Sequence, residues 1–423
     1  MNHDQIYFLI TCIAMVLFMT PGLAFFYGGL VRASSVISMM MMSFGALALI
    51  SLLWIAFGYA MAFSGSGAGN YIGIDGVLGI NLSNLFLDSL LDERMSFDLV
   101  FAAFQGTFAA ITVALISGAI ADRARFGSWM IFAALWGSVV YFPVAGWVFN
   151  FTLDDQGKVI DGGWLVKDIG LLDFAGGTVV EVGSGAAALA VALVLGRRFG
   201  FRKGMYAPHN VPLTLIGAAI LWFGWFAFNA GSELAADGIA SLAFLNTLIA
   251  PAASMLSWAA FERITAGKPT AVGIASGAIA GAVAITPACA FLDPIWAIVL
   301  GLVVGVVCAW AIELKFALGF DDSLDVVGIH LVGGIVGTLF IGVFGRGVGL
   351  AFGHGFDQLF AQLIGVLAVG LYSFAAAWII AYVLEKTIGF RVQSTDEMAG
   401  IDPILHGQLG YHDKDPRWKG ALD

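Results

Sequence analysis

The residues best placed to do chemistry in this chain are acids and one histidine set inside apolar runs. Between Leu171 and Leu195 the string DFAGGTVVEVGSG carries Asp173 and Glu181, and a later run, DVVGIHLVGG, places Asp325 five residues before His330. In a bilayer-spanning helix one such charged group costs on the order of 2.5–3.5 kcal/mol or more at the centre, so it must face a bundle interior, a partner or a pore. A buried carboxylate and imidazole can share a proton and hand it along. The plainer use of Glu181 and His330 is a hydrogen-bonded pair fixing two helices. For Asp173, beside Gly176 and Gly177, holding local backbone is the first expectation and contact with a substrate the second.

A second constellation is aromatic. Phe104, Phe108, Phe149, Trp225 and Phe228 fall on three apolar runs, and Ser232 follows Phe228 with a hydroxyl acceptor. Ring faces attract cations by roughly 0.5–2 kcal/mol each, more as water is removed. At 13% aromatic residues most single rings serve as lipid-facing or belt residues, so only agreement among three runs marks this set.

The elements that must position these groups follow from composition. Over 423 residues the chain is 60% hydrophobic and 11% charged, where a soluble domain carries about 25% charged residues. It reads as an all-α polytopic membrane protein. Windows of roughly 20 apolar residues, long enough to cross a bilayer, lie near 6–31, 36–63, 99–120, 128–151, 172–195, 211–230, 239–261, 271–290, 295–314, 326–344 and 360–385. These give eleven transmembrane helices, the window at 271–290 being the weakest because Pro287 interrupts it.

An odd number of spans puts the termini on opposite sides. With the N-terminus outside, all but Arg94, Lys158, Lys167 and Arg346 of the 19 Lys and Arg residues fall on the cytoplasmic side, as the positive-inside rule requires. The first span has no basic start and no small-residue cleavage site, so it is read as retained. The net charge of −10, with acids such as Asp75, Asp88, Asp154 and Asp161 in the outer loops, offers nothing to nucleic acid. Cys12, Cys289 and Cys308 have no paired spacing and suggest neither disulfides nor a metal site.

The halves of the chain echo each other. Gly22, Phe26 and Gly29 in span one share their spacing with Gly224, Phe228 and Gly231 in span six; Glu181 and His330 are each followed by small residues, Ser184-Gly185 and Gly333-Gly334. Five spans separate each pair, which predicts an inverted five-helix repeat, about 6–195 and 211–344, plus a final helix at about 360–385. The transmembrane domain is then 1–385, followed by a cytoplasmic C-terminal tail, 386–423. In that geometry Glu181 and His330 approach mid-membrane from opposite faces.

The strings PGLAFFYGGLVR (21–32), AFQGTFAAITVALISGAIADR (103–123), DFAGGTVV (173–180), GWFAFNAGS (224–232) and DVVGIHLVGGIVG (325–337), with GIDPILHGQLGY (400–411) in the tail, resemble the ammonium transporter family, the Amt/Mep/Rh proteins. The resemblance implies a homotrimer in the plasma membrane with one pore per protomer. It makes Phe108 and Phe228 a stacked gate. It places Phe104, Phe108, Phe149, Trp225 and Ser232 in an outer site that recruits ammonium, supported by Asp173 and Ala175, and His330 at the second of two pore histidines. Glu181 stands where most members have the first pore histidine, which resembles an acidic variant of some fungal members, and Phe149 stands where Trp is usual.

Potassium and ammonium are similar in size, so cavity radius separates them poorly. Only ammonium can lose a proton and cross an apolar constriction as a neutral molecule. The expected function is thus capture of ammonium, deprotonation at the Phe gate and passage of ammonia beside Glu181 and His330, with or without separate proton transfer. The alternative is an ammonium sensor with little flux. An intramembrane enzyme lacks any nucleophile–base or metal set, and no cofactor is expected. A soluble PII-type signalling protein at the cytoplasmic face is a further partner that the resemblance suggests.

Overall fold

A computed structural model describes residues 3–63, 70–91, 97–156, 158–202 and 207–411. Arg94, Lys203 and the end of the tail with Lys414, Arg417 and Lys419 lie outside the described residues. The apolar windows become helices α1 (His3–Leu30), α2 (Val36–Ala62), α3 (Phe97–Ile120), α4 (Phe126–Phe149), α5 (Gly177–Leu195), α6 (Val211–Gly231), α7 (Gly238–Thr265), α8 (Ala271–Ile285), α9 (Pro294–Leu318), α10 (Val327–Phe344) and α11 (Asp357–Thr387). Ten of these are long and apolar enough to cross a membrane.

The remaining one, α8, departs from the sequence reading. It stops at Ile285 after 15 residues, because Pro287 has no N–H to give and disfavours helical backbone before it. The chain then turns, and the Pro287 carbonyl accepts the Phe174 N–H at 3.1 Å, tying this turn to the start of α5. Outside the bundle, two small antiparallel hairpins break the all-helical pattern. They are β1 (Tyr71–Ile74) with β2 (Leu78–Asn81), and β3 (Phe151–Leu153) with β4 (Val159–Gly162).

Without a hydrophobic drive between helices in lipid, backbones gain by approaching closely where side chains are small. α1 lies along α6, and α5 lies against α10. A Cβ on Gly185 would sit 2.4 Å from the Leu331 backbone nitrogen, and one on Gly334 would sit 2.9 Å from the Glu181 Cβ. Each glycine lies four residues beyond the titratable group of its own helix, so the two contacts bring Glu181 and His330 face to face. Both helices also begin in wider π-helical turns, Gly177–Val182 and Val327–Leu331, which contain Glu181 and His330. Such turns are frequent at functional sites, and three others occur at Trp54–Gly58, Gly137–Tyr141 and Leu165–Ile169.

At one end of the bundle the cations form a buried ionic cluster. Arg198 holds Asp321 through two nitrogens at 2.9 Å and Asp122 at 3.0 Å, and Arg123 donates to Ser323 and to the Asp321 carbonyl at 2.5 Å. The tail closes over this end. Helices α12 (Ser394–Ala399) and α13 (Ile401–Leu405) bring Glu397 to Arg391 at 2.7 Å, and Asp402 caps α2 by accepting from Ile37 and Ser38 at 2.8 Å.

Burial pushes the Asp321 carboxyl up, but Arg123 and Arg198 outweigh it and hold the group below its ordinary 3.8. Its contribution is therefore present above pH 3.8 and is lost as pH falls through the depressed folded value. Asp321→Ala removes the carboxylate shared by two buried guanidinium groups, leaving Arg198 with Asp122 and Arg123 with neutral acceptors, and should cost about 3–5 kcal/mol. A melting curve in detergent checks this, and an unchanged midpoint rejects the cluster as a stabilising element.

Candidate functional site

Asp173 sits in the turn that precedes α5. Its carboxylate accepts from the N–H groups of Gly176 (2.8 Å), Gly177 (2.6 Å) and Thr178 (2.7 Å), and from the Thr178 hydroxyl. A helix start leaves its first N–H groups without partners, and an acid there satisfies them. Asp173 is thus occupied by backbone, and Ala175, 1% exposed, lies within the turn it ties.

Four of the expected rings come together. Phe108 stacks on Phe228 with centroids 4.1 Å apart and planes at 29°, Phe104 meets Phe108 edge-on at 4.9 Å, and Trp225 lies 5.9 Å from Phe228. All four are buried. The Ser232 hydroxyl donates to the Phe228 carbonyl at 2.8 Å, which leaves its lone pairs for another donor. Phe149, partly buried at the end of α4, is in no ring pair with these four among the described residues.

The sequence reading missed Thr286. Its hydroxyl accepts the Trp225 indole N–H at 2.8 Å and donates to the Ala282 carbonyl at 2.8 Å, fixing the ring from the short end of α8. Buried indole N–H groups normally find a partner, but nothing in the local sequence names which residue supplies it.

Beneath the stacked rings lies a narrow cavity bordered by Met19, Ile111, Leu115, Val180, Leu221 and Phe228, with Glu181 as its ionisable wall. It leaves about 10 Å³ for the centre of a water-sized molecule, roughly the space one such molecule needs. Glu181 and His330 are 1% and 3% exposed, and Glu181 Oε2 lies 2.6 Å from His330 Nδ1. One proton is shared in that bond, whether carried by the ring nitrogen or by the carboxyl. His330 stands behind Glu181 and does not itself border the cavity.

Asp325 is not the counterpart of Asp173. It sits at φ +65°, bonded to Lys315, with its side chain 28% exposed. Asp322 stands eight residues before His330, as Asp173 stands eight before Glu181, and accepts the Val327 N–H at the start of α10 at 2.7 Å. That equal spacing was visible in the sequence and is the signal that identifies it.

Comparison with known proteins shows what the whole chain is similar to. The model of the Ammonium Transporter Family matches residues 7–411. The ammonium transporter of Mycobacterium tuberculosis is 48% identical over 427 residues, covering 94% of this chain and 88% of its own. Mep2 of Candida albicans has a TM-score of 0.84 at 32% identity, over 99% of this chain and 92% of its own. A structure described as a Sensor Amt Protein has a TM-score of 0.87 at 27% identity, over 96% and 98%. With a family match over nearly its whole length and relatives of this identity, the chain belongs to the ammonium transporter family.

Proposed function

We propose that ammonium is captured at the rings on the outer side, loses its proton at the Phe108–Phe228 stack and crosses the cavity as ammonia, with Glu181 and His330 conducting the proton separately. The observation that carries this reading is a closed ring stack opening onto an apolar cavity of one-molecule size that ends on a buried, hydrogen-bonded acid–imidazole pair. An ion in that cavity loses its hydration with one carboxyl to meet it, whereas neutral ammonia does not pay for burying a charge. The expected roles divide accordingly. Phe104, Phe108, Trp225, Ser232 and Phe149 recruit the cation, Asp173 and Ala175 hold the turn behind the site, and Phe108 and Phe228 gate.

The same proposal includes the inverted repeat of α1–α5 and α6–α10. It is supported by the matched π-helical starts of α5 and α10 and by the paired positions Asp173/Asp322 and Glu181/His330. It also includes an outside N-terminus, supported by the gathering of Arg32, Arg123, Arg198 and Arg391 with the tail at one end. Location in the plasma membrane, a homotrimer and docking of a PII-type protein on the cytoplasmic face are carried by the family resemblance.

The test is charge moved per ammonium taken up in reconstituted vesicles, with potassium as control. Flux with charge, and none with potassium, supports the full mechanism; flux without charge leaves a gas channel. Binding without flux turns the reading to a sensor. A related expectation concerns Phe149. Tryptophan binds cations best among the rings, so Phe149→Trp should lower the half-saturating ammonium concentration about two- to fivefold. An unchanged value removes Phe149 from the recruitment site.

A further inference from the structure

A proton that enters the Glu181–His330 pair also needs a way out. Asp322 is 1% exposed; Oδ2 takes the Val327 N–H, and Oδ1 has no hydrogen-bond partner among the described residues. Its counterpart Asp173 spends its carboxylate on four short bonds. Two acids in matching positions thus differ in one respect, a spare buried oxygen, and leaving such an atom unmet is costly unless a proton or water meets it.

The groups facing Asp322 come from three elements. From α9, Lys315 donates to the Asp322 carbonyl at 2.9 Å and to the Asp325 carboxylate; from its own segment there is Asp325. From α1, Tyr27 is within electrostatic reach of Asp322, Glu181 and Asp325, and its hydroxyl donates to the Leu115 carbonyl at 3.0 Å. Asp321 is turned to Arg123 and Arg198. Beside the cluster lies a cavity of about 200 Å³ whose lining includes Lys315, Ser323, Leu324, Asp325 and Arg198.

We propose that Asp322 is the relay carboxylate on the inner side of the pore, receiving the proton that leaves the Glu181–His330 pair and passing it to water in the cavity beside Lys315 and Asp325. The inference rests on the reading that a proton travels through that pair. An O–H bond forms at Oδ1 as the donor's bond to the same proton breaks. The acid is then neutral, and release to cavity water restores the carboxylate. Asp322 stands in the turn before α10 and His330 within its first turn, and no hydrogen bond joins them among the described residues, so the transfer runs through water past the Tyr27 hydroxyl. Burial raises the Asp322 carboxyl to about 6, with Lys315 pulling down and Asp325 pushing up, so it takes up and releases a proton more readily than an ordinary carboxyl.

Asp322→Asn keeps an oxygen for the Val327 N–H and removes the titratable acid. In reconstituted vesicles, ammonium-evoked current is measured while inner pH is stepped between about 5 and 8. Wild type should show a step near pH 6, and the variant should lose that step and about tenfold of the current. Equal current with the same inner-pH step overturns the proposal. A wild type that moves ammonium without current removes the proton reading, and this inference with it. If the variant does not fold, infrared difference spectra of the unaltered protein decide. A protonated carboxyl band that appears as inner pH falls through about 6, and that survives Glu181→Gln, supports Asp322; its absence overturns the assignment.

Discussion

Asp173→Ala is expected to abolish transport and to lower stability together. The carboxylate holds three backbone N–H groups at 2.6–2.8 Å, as well as the Thr178 hydroxyl, in a turn that is 8% or less exposed at Asp173, Ala175 and Thr178. Each bond to a charged acceptor is worth about 1.5–3 kcal/mol, and these share one group, so the total falls short of their sum. A loss of about 3–5 kcal/mol is expected. The same turn sets where α5 starts, and a shift of the start moves Glu181 away from His330. Uptake should fall by about 100-fold, the scale on which small misplacements act.

Asp173→Asn offers one acceptor oxygen and should recover part of the stability but less of the uptake. Melting in detergent and ammonium uptake in vesicles check both. If stability is unchanged while only the half-saturating concentration rises, Asp173 acts on the substrate and the backbone account is wrong.

What the sequence revealed, and what it withheld, follows from the range of the forces involved. Spans are legible because lipid imposes length and apolarity on each helix independently. The meeting of Glu181 and His330 was legible because lipid gives neither a partner and the small residues after each point to a shared contact. The early end of α8 was signalled by Pro287, though its 15-residue length was not. Pairings across the fold were hidden. Arg198 and Asp321 are 123 positions apart, and Trp225 and Thr286 are 61 apart, with no local pattern joining them. Asp325 drew attention over Asp322 because it lies closer to His330 in a cleaner string, although Asp322 alone shares the eight-residue spacing of Asp173 from Glu181. The role of the ring stack came from family resemblance; its 4.1 Å contact is a property of packing among α3 and α6.

Glu181→Gln separates proton conduction from ammonia passage. The amide has nearly the shape of the acid and retains an oxygen that can accept from His330 Nδ1, so the contact between α5 and α10 survives and the melting midpoint should stay near wild type. What disappears is the ability to take up and release a proton beside the cavity. Groups that transfer protons in place contribute typically 10²–10⁴-fold, and ammonium-evoked current is expected to fall by at least about 100-fold. Uptake of ammonia driven by a pH gradient should persist, because the cavity between Phe228 and residue 181 keeps its width and its apolar walls. Glu181→His replaces the carboxylate with a second titratable ring, with an intrinsic pKa of about 6.5 in place of 4.3, and should keep current while changing its pH profile. Current and uptake recorded on the same vesicles decide the matter. If both fall together in the Gln variant, ammonia and proton share one step at residue 181; if neither falls, the pair is a structural clasp, and the charge in transport has another route.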